Sequence, residues 1–124
     1  MKVCTNCGEN KLNENFNNQA SATDGKANQC RDCVILKRRD VTSRNRHFVW
    51  GYLLASPCVD CGETDRVVLQ FDHKDNVDKL GNLSDMVNQS ATIEAITEEI
   101  SKCDVRCANC HQRRTAIQQN WYSY

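Results

Sequence analysis

The segment CDVRCANCHQRRT, residues 103–115, decides how this chain is read. It sets a Cys-x-x-Cys pair, Cys107 and Cys110, directly against a histidine, His111. Two thiolates three positions apart suit one tetrahedral metal ion. Either His111 completes that ion's shell, or the cysteines hold the fold and leave the imidazole for other work. The other cysteines bear on the choice, because eight of the nine fall into four such pairs: Cys4/Cys7, Cys30/Cys33, Cys58/Cys61 and Cys107/Cys110. If Cys58, Cys61, Cys107 and Cys110 share one ion, its four positions are filled and His111 is surplus to it.

With 124 residues there is room for one domain or two very small ones, and three Phe, two Trp and three Tyr cannot build a large core. Domains of this size need staples, either disulfides or metals. The opening MKVCTNCGEN lacks the apolar run of a secretory signal, so no oxidising destination is indicated. Paired spacing also favours metal over disulfides. The expectation is two structural zinc ions, one on Cys4, Cys7, Cys30 and Cys33, the other on Cys58, Cys61, Cys107 and Cys110. Pairing across the halves, Cys30/Cys33 with Cys58/Cys61, stays open. The longest apolar stretch, FVWGYLLA, is too short to span a membrane. The expected compartment is therefore the cytoplasm, with no membrane partner.

A formal net charge of +0 at first argues against a nucleic-acid partner. The signs are segregated, however. Residues 31–50 carry six Lys/Arg against two Asp, whereas 60–99 carry ten acids against three bases. A local basic face is thus compatible with neutrality. Each zinc held by four thiolates would add a net charge of roughly minus two, so DNA affinity must come from local patches and a bound divalent ion.

The chain divides into residues 1–36, an N-terminal Cys4 zinc knuckle with Phe16 as core anchor; 37–56, a basic and then apolar helical linker; and 57–124, a second metal-stapled unit. The linker's helix is expected to break near Asp40, Thr42 or Ser43, each able to cap a second segment. Pro57 closes it. In the second unit RVVLQFDH predicts a strand ending at Asp72–His73. TIEAITEEISKC predicts a helix capped by Thr92 with Ile93, Ile96, Ile100 and Cys103 on one face, which makes Cys103 a core thiol. DVRC predicts a second strand, and HQRRTAIQQN a closing helix. The fold class expected is a small, metal-stapled α+β protein.

Asp72, His73 and the start of the last helix should converge in this topology. Two imidazoles and a carboxylate there can hold one divalent ion and supply one base. Residues 58–118, CVDCG…LQFDH…KCDVRCANCHQRRT, resemble the zinc-stapled HNH endonucleases of phages and bacteria, and residues 1–36 are similar to the knuckle found ahead of such domains. The resemblance implies a ββα-metal domain that hydrolyses double-stranded DNA. It implies His73 as general base, with Asp72 and His111 as ligands of a catalytic divalent metal, Mg²⁺ or Mn²⁺, with Ni²⁺ or Co²⁺ as further candidates. Phage packaging proteins become candidate partners, and a host cytoplasm the setting. The chain departs from the pattern at Lys102, where the family carries an asparagine whose carbonyl orients the base.

Adjacent strand residues point to opposite faces, so Asp72 and His73 share a site only if the strand breaks there. The polar loop from Lys74 makes that break expected. Arg113 and Arg114, beside His111, are candidate phosphate contacts, with Arg38 and Arg39 as weaker ones. Two rival readings remain. One is a non-catalytic, zinc-dependent nucleic-acid-binding module, which has no use for Asp72, His73 and His111 together. The other is a RING-like interaction domain, which the long gap between Cys61 and Cys107 disfavours.

Overall fold

The computed structural model describes residues 1–123. The chain forms two compact units, Met1–Val41 and Thr42–Tyr124.

The first unit is two small hairpins around a cysteine cluster. Strand β1 (Lys2–Val3) pairs antiparallel with β2 (Asn10–Lys11), and β3 (Phe16–Asn18) with β4 (Lys26–Cys30). Phe16 is buried against Cys4, Cys30 and Cys33, as its place in an otherwise polar segment leads one to expect. Gly8, directly after Cys7, has φ +75°, and Gly62, directly after Cys61, has φ +79°. Each folds its N–H back onto the first cysteine's carbonyl at 2.9 Å, Gly8 onto Cys4 and Gly62 onto Cys58. Glycine adopts this left-handed turn without a Cβ penalty, which is why it follows both pairs.

Helix α1 (Arg31–Leu54) is 24 residues long and uninterrupted. The break expected near Asp40–Ser43 does not occur. Asp40 and Ser43 are exposed, and capping residues in mid-helix forfeit only tenths of a kcal/mol, less than stopping and renucleating the helix would. The expected boundary at residue 36 falls inside this helix.

The second unit is built on an antiparallel pair, β5 (Leu69–His73) and β6 (Cys103–Cys107), in register from Leu69↔Cys107 to His73↔Cys103. The strand is shorter than RVVLQFDH suggested. The Val67 N–H donates to Asp65 Oδ1 at 3.0 Å and the Val68 N–H to Asp65 O at 3.1 Å, so residues 66–68 turn instead of pairing. At the other end β5 continues through His73, and the Lys74 N–H still donates to Lys102 O at 2.9 Å. The break expected at Asp72–His73 is therefore absent.

Between the strands lie α2 (Leu83–Asn88) and α3 (Ile93–Ser101). Thr92 caps α3 by accepting the Ala95 N–H at 3.1 Å. Helix α4 (Ala108–Gln118) starts immediately after β6, and the Cys107 sulphur accepts the Cys110 N–H at 3.4 Å in its first turn. Two apolar clusters result. Leu53, Leu69 and Val105 surround the second set of cysteines, while Leu83, Met86, Val87, Ile96 and Ile100 form a core under α2 and α3. Asn45, fully buried on α1, donates to the carbonyls of Ala91 at 3.0 Å and Val87 at 3.4 Å, tying α1 to the last turn of α2 and the link into α3. Among the described residues, no helix is long and apolar enough to cross a membrane.

Gly51 lies exposed inside α1, and a Cβ there would meet no atom within 4 Å. Gly51→Ala should raise stability in urea unfolding by about 1 kcal/mol, the helix-propensity difference between the two residues. An unchanged or lowered midpoint would mean that α1 is not helical at this position.

Candidate metal centres and the Asp72–His111 site

The eight paired cysteines gather into two groups able to hold a metal ion, Cys4, Cys7, Cys30 and Cys33, and Cys58, Cys61, Cys107 and Cys110. The cross-pairing of Cys30/Cys33 with Cys58/Cys61 is not what forms. The Cys4 and Cys33 sulphurs are 3.8 Å apart and those of Cys61 and Cys107 3.7 Å. Sulphurs at the corners of a tetrahedron with bonds of about 2.3 Å stand about 3.8 Å apart, so both groups fit a zinc-sized ion.

Their electrostatics point the same way. Backbone N–H groups of Cys30 and Cys7 pull the Cys4 thiol down to about 6. Cys33 accepts a hydrogen bond from Asn6, yet the Cys30 thiol, burial and the other two thiols push it up to about 11. In the second group burial raises Cys58, but N–H groups of Cys107, Cys61 and Asp60 outweigh it and bring the thiol to about 6. Cys110 is pushed up to about 12 by the Cys107 thiol, by burial and by Cys61 and Cys58. In each set the four thiols favour ionisation unequally, and a divalent ion shared among them would favour the thiolate at all four. Cys103 belongs to neither group. It packs partly buried beside the Ile96–Ile100 core, where burial lifts its thiol to about 11.

Free of the cysteine groups, His111 stands on the first turn of α4 with its Nε2 3.5 Å from Asp72 Oδ1. Its Nδ1 lies 2.7 Å from Gln70 Oε1. A carboxamide oxygen only accepts, so Nδ1 carries the proton and Nε2 of the neutral ring presents a lone pair. Gln70 and Asp72 are two apart on β5 and share its α4-facing side. The buried Asp72 carboxylate spends its other oxygen on two guanidiniums, Oδ2 accepting from Arg114 Nη1 at 2.8 Å and Arg106 Nη1 at 3.0 Å. Oδ1 and Nε2 are thus two electron-rich atoms facing each other. Two ligands at adjacent positions around a divalent ion, each about 2.1 Å from it, stand about 3.0–3.5 Å apart. This donor set fits one ion.

His73, next along β5, points to the other side. Its Nε2 is 2.8 Å from Oε1 of Glu99, on α3. Asp72, His73 and His111 consequently do not form a three-ligand group, although all three line one cleft of about 610 Å³ that Arg46 and Lys79 also border. The cationic candidates are placed unevenly. Arg114 is committed to Asp72, to Asp75 Oδ1 at 2.7 Å and to His73 O at 3.3 Å, so it braces the site and is not free for phosphate. Arg113 lines a shallower concavity beside it. Arg38 and Arg39 are exposed on the part of α1 that belongs to the first unit. The Lys102 carbonyl accepts the Lys74 N–H and does not orient His73.

Glu99, Gln70 and Arg106 escaped the sequence reading. Alternation from Asp72 would have found Gln70, and Glu99 stands beside Ile100 on the packed face of α3, where an acid is out of place. Glu99 is 1 % exposed. Burial pushes its carboxyl up, but hydrogen bonds from His73, Lys102 and the Leu80 N–H outweigh this and hold it below its ordinary value. It is therefore ionised at neutral pH.

Comparison with protein-family models, with curated proteins and with solved structures finds no match. The assignment of the site rests on its own chemistry.

Cys61 is exposed, so Cys61→Ser opens no cavity and acts through the metal alone. The variant should retain one zinc ion per chain where the parent retains two, and its second unit should lose cooperative thermal unfolding, because metal binding supplies folding free energy. Two zinc ions retained with unchanged melting would contradict the staple.

Proposed function

We propose that this chain is a metal-dependent DNA endonuclease of the HNH type, with two structural zinc ions and one catalytic divalent ion. The observation that carries the reading is the pair Asp72 Oδ1 and His111 Nε2, 3.5 Å apart in a cleft that His73 also lines. The order β5, β6, α4, with His73 at the end of one strand and His111 at the start of the helix, supports it.

Each residue has a definite task in phosphodiester hydrolysis. Arg106 and Arg114 fix the Asp72 carboxylate through Oδ2 and leave Oδ1 to the ion. Gln70 holds the His111 proton on Nδ1, so that Nε2 is a ligand and not an acid. His73, as a neutral imidazole, takes the proton of the attacking water. Arg46 and Lys79 border the cleft and make no ion pair among the described residues, which leaves both for the substrate's phosphates. Asp72 Oδ1 and His111 Nε2 would hold a divalent ion such as Mg²⁺ or Mn²⁺, which would supply positive charge beside the scissile phosphate.

Supercoiled plasmid incubated with Mg²⁺ or Mn²⁺ tests the proposal. The parent chain should yield relaxed or linear DNA, and His73→Ala should be slower by about 10²-fold or more with its zinc content intact. Equal cleavage by both removes His73 as the base. Plasmid that is retarded in a gel yet never cut would favour a binding module instead.

A further inference from the structure

Glu99 is a buried carboxylate that the reading above leaves without a task. Its surroundings are specific. Oε1 meets His73 Nε2 at 2.8 Å and the Leu80 N–H at 3.1 Å, while Oε2 accepts from Lys102 Nζ at 3.1 Å. Lys102 in turn donates to Asp78 O at 2.8 Å. An acid on a helix face shared with Ile96 and Ile100 is costly to bury unless all its lone pairs serve a purpose. Anchoring the loop from residue 74 to 82 explains the contacts to Leu80 and Lys102, but not the choice of an imidazole as the third partner.

We infer that Glu99 is the positioning residue for His73. A carboxylate accepts only, so the neutral His73 ring must place its proton on Nε2, toward Glu99. Nδ1 has no hydrogen-bond partner among the described residues, and it is the nitrogen left to receive a proton. Lys102 holds the carboxylate from its far oxygen and fixes the plane in which His73 is gripped. A side-chain carboxylate on α3, steadied by Lys102, thus sets the tautomer at a place where a backbone carbonyl is already spent on Lys74. The role as a positioner of the base rests on the nuclease reading; the tautomer does not.

The full metal-loaded chain, labelled with ¹⁵N, tests both parts. Side-chain ¹⁵N–¹H correlation spectra of the parent should show His73 as the Nε2–H tautomer, with a mixture of tautomers in Glu99→Leu. With duplex DNA as substrate, Glu99→Leu should lower kcat by about 10²-fold with KM changed less than threefold. Glu99→Gln, which keeps an acceptor oxygen toward His73 and Leu80, should retain the tautomer and recover much of the kcat. Should Glu99→Leu fail to fold, the parent spectrum and the Gln variant decide the question. A proton on His73 Nδ1 in the parent overturns the inference, as does a folded Glu99→Leu with parental kcat. If the parent leaves DNA uncut but shows the Nε2–H tautomer, the nuclease reading falls and the Glu99–His73 pairing stands.

Discussion

The sulphurs of Cys58, Cys61, Cys107 and Cys110 meet where three elements of the second unit begin or end. Cys107 is the last residue of β6, the register partner of Leu69 at the start of β5, and the residue that caps α4 through its sulphur. One ion on these four atoms therefore fixes the height at which the two strands pair and the direction in which α4 leaves them. The apolar residues around it, Leu53, Leu69 and Val105, are too few to impose that geometry by burial alone. His111 follows Cys110 directly, so its position relative to Asp72 is inherited from the cysteine-paired turn.

Around this scaffold the charges are arranged in pairs that leave selected atoms free. Arg106 spans Asp60 and Asp72, and Arg114 spans Asp72 and Asp75, so two guanidiniums tie three acids together and restrain one oxygen of Asp72. Gln70 restrains one nitrogen of His111, and Glu99 one nitrogen of His73. In each case one atom is held and its twin is left available. A bidentate group held on one side is preorganised on the other, which is what reactive sites require. Asp72 and His73 line the same cleft even though the unbroken strand sends them to opposite faces, and α1, α2 and His111 supply the rest of its wall.

The metal groups were legible in the sequence because ligand spacing is local: a Cys-x-x-Cys-Gly turn needs only five residues to declare itself. The two strands and the closing helix were legible from the apolar run before Asp72 and from the cysteine pair at Cys107 and Cys110. What failed was long-range. Helix α1 runs through Asp40 and Ser43 because restarting a helix costs more than a capping residue in mid-helix forfeits. The role of Arg114 depends on Asp75, 39 positions away, and that of Glu99 on His73, 26 away, and no local pattern announces either. Arg114 looked like a phosphate contact because a surface helix in isolation gives no hint of the acids opposite it.

Central to this account is a division of elements: sulphur alone binds the structural ions, and imidazole and carboxylate are kept for a different ion. Zinc-edge X-ray absorption on the purified chain measures this directly. The account predicts two zinc ions per chain, each with a shell of four sulphurs at about 2.3 Å and no light-atom scatterer in the first shell. A nitrogen contribution at about 2.0 Å would place a histidine on a structural ion and contradict it.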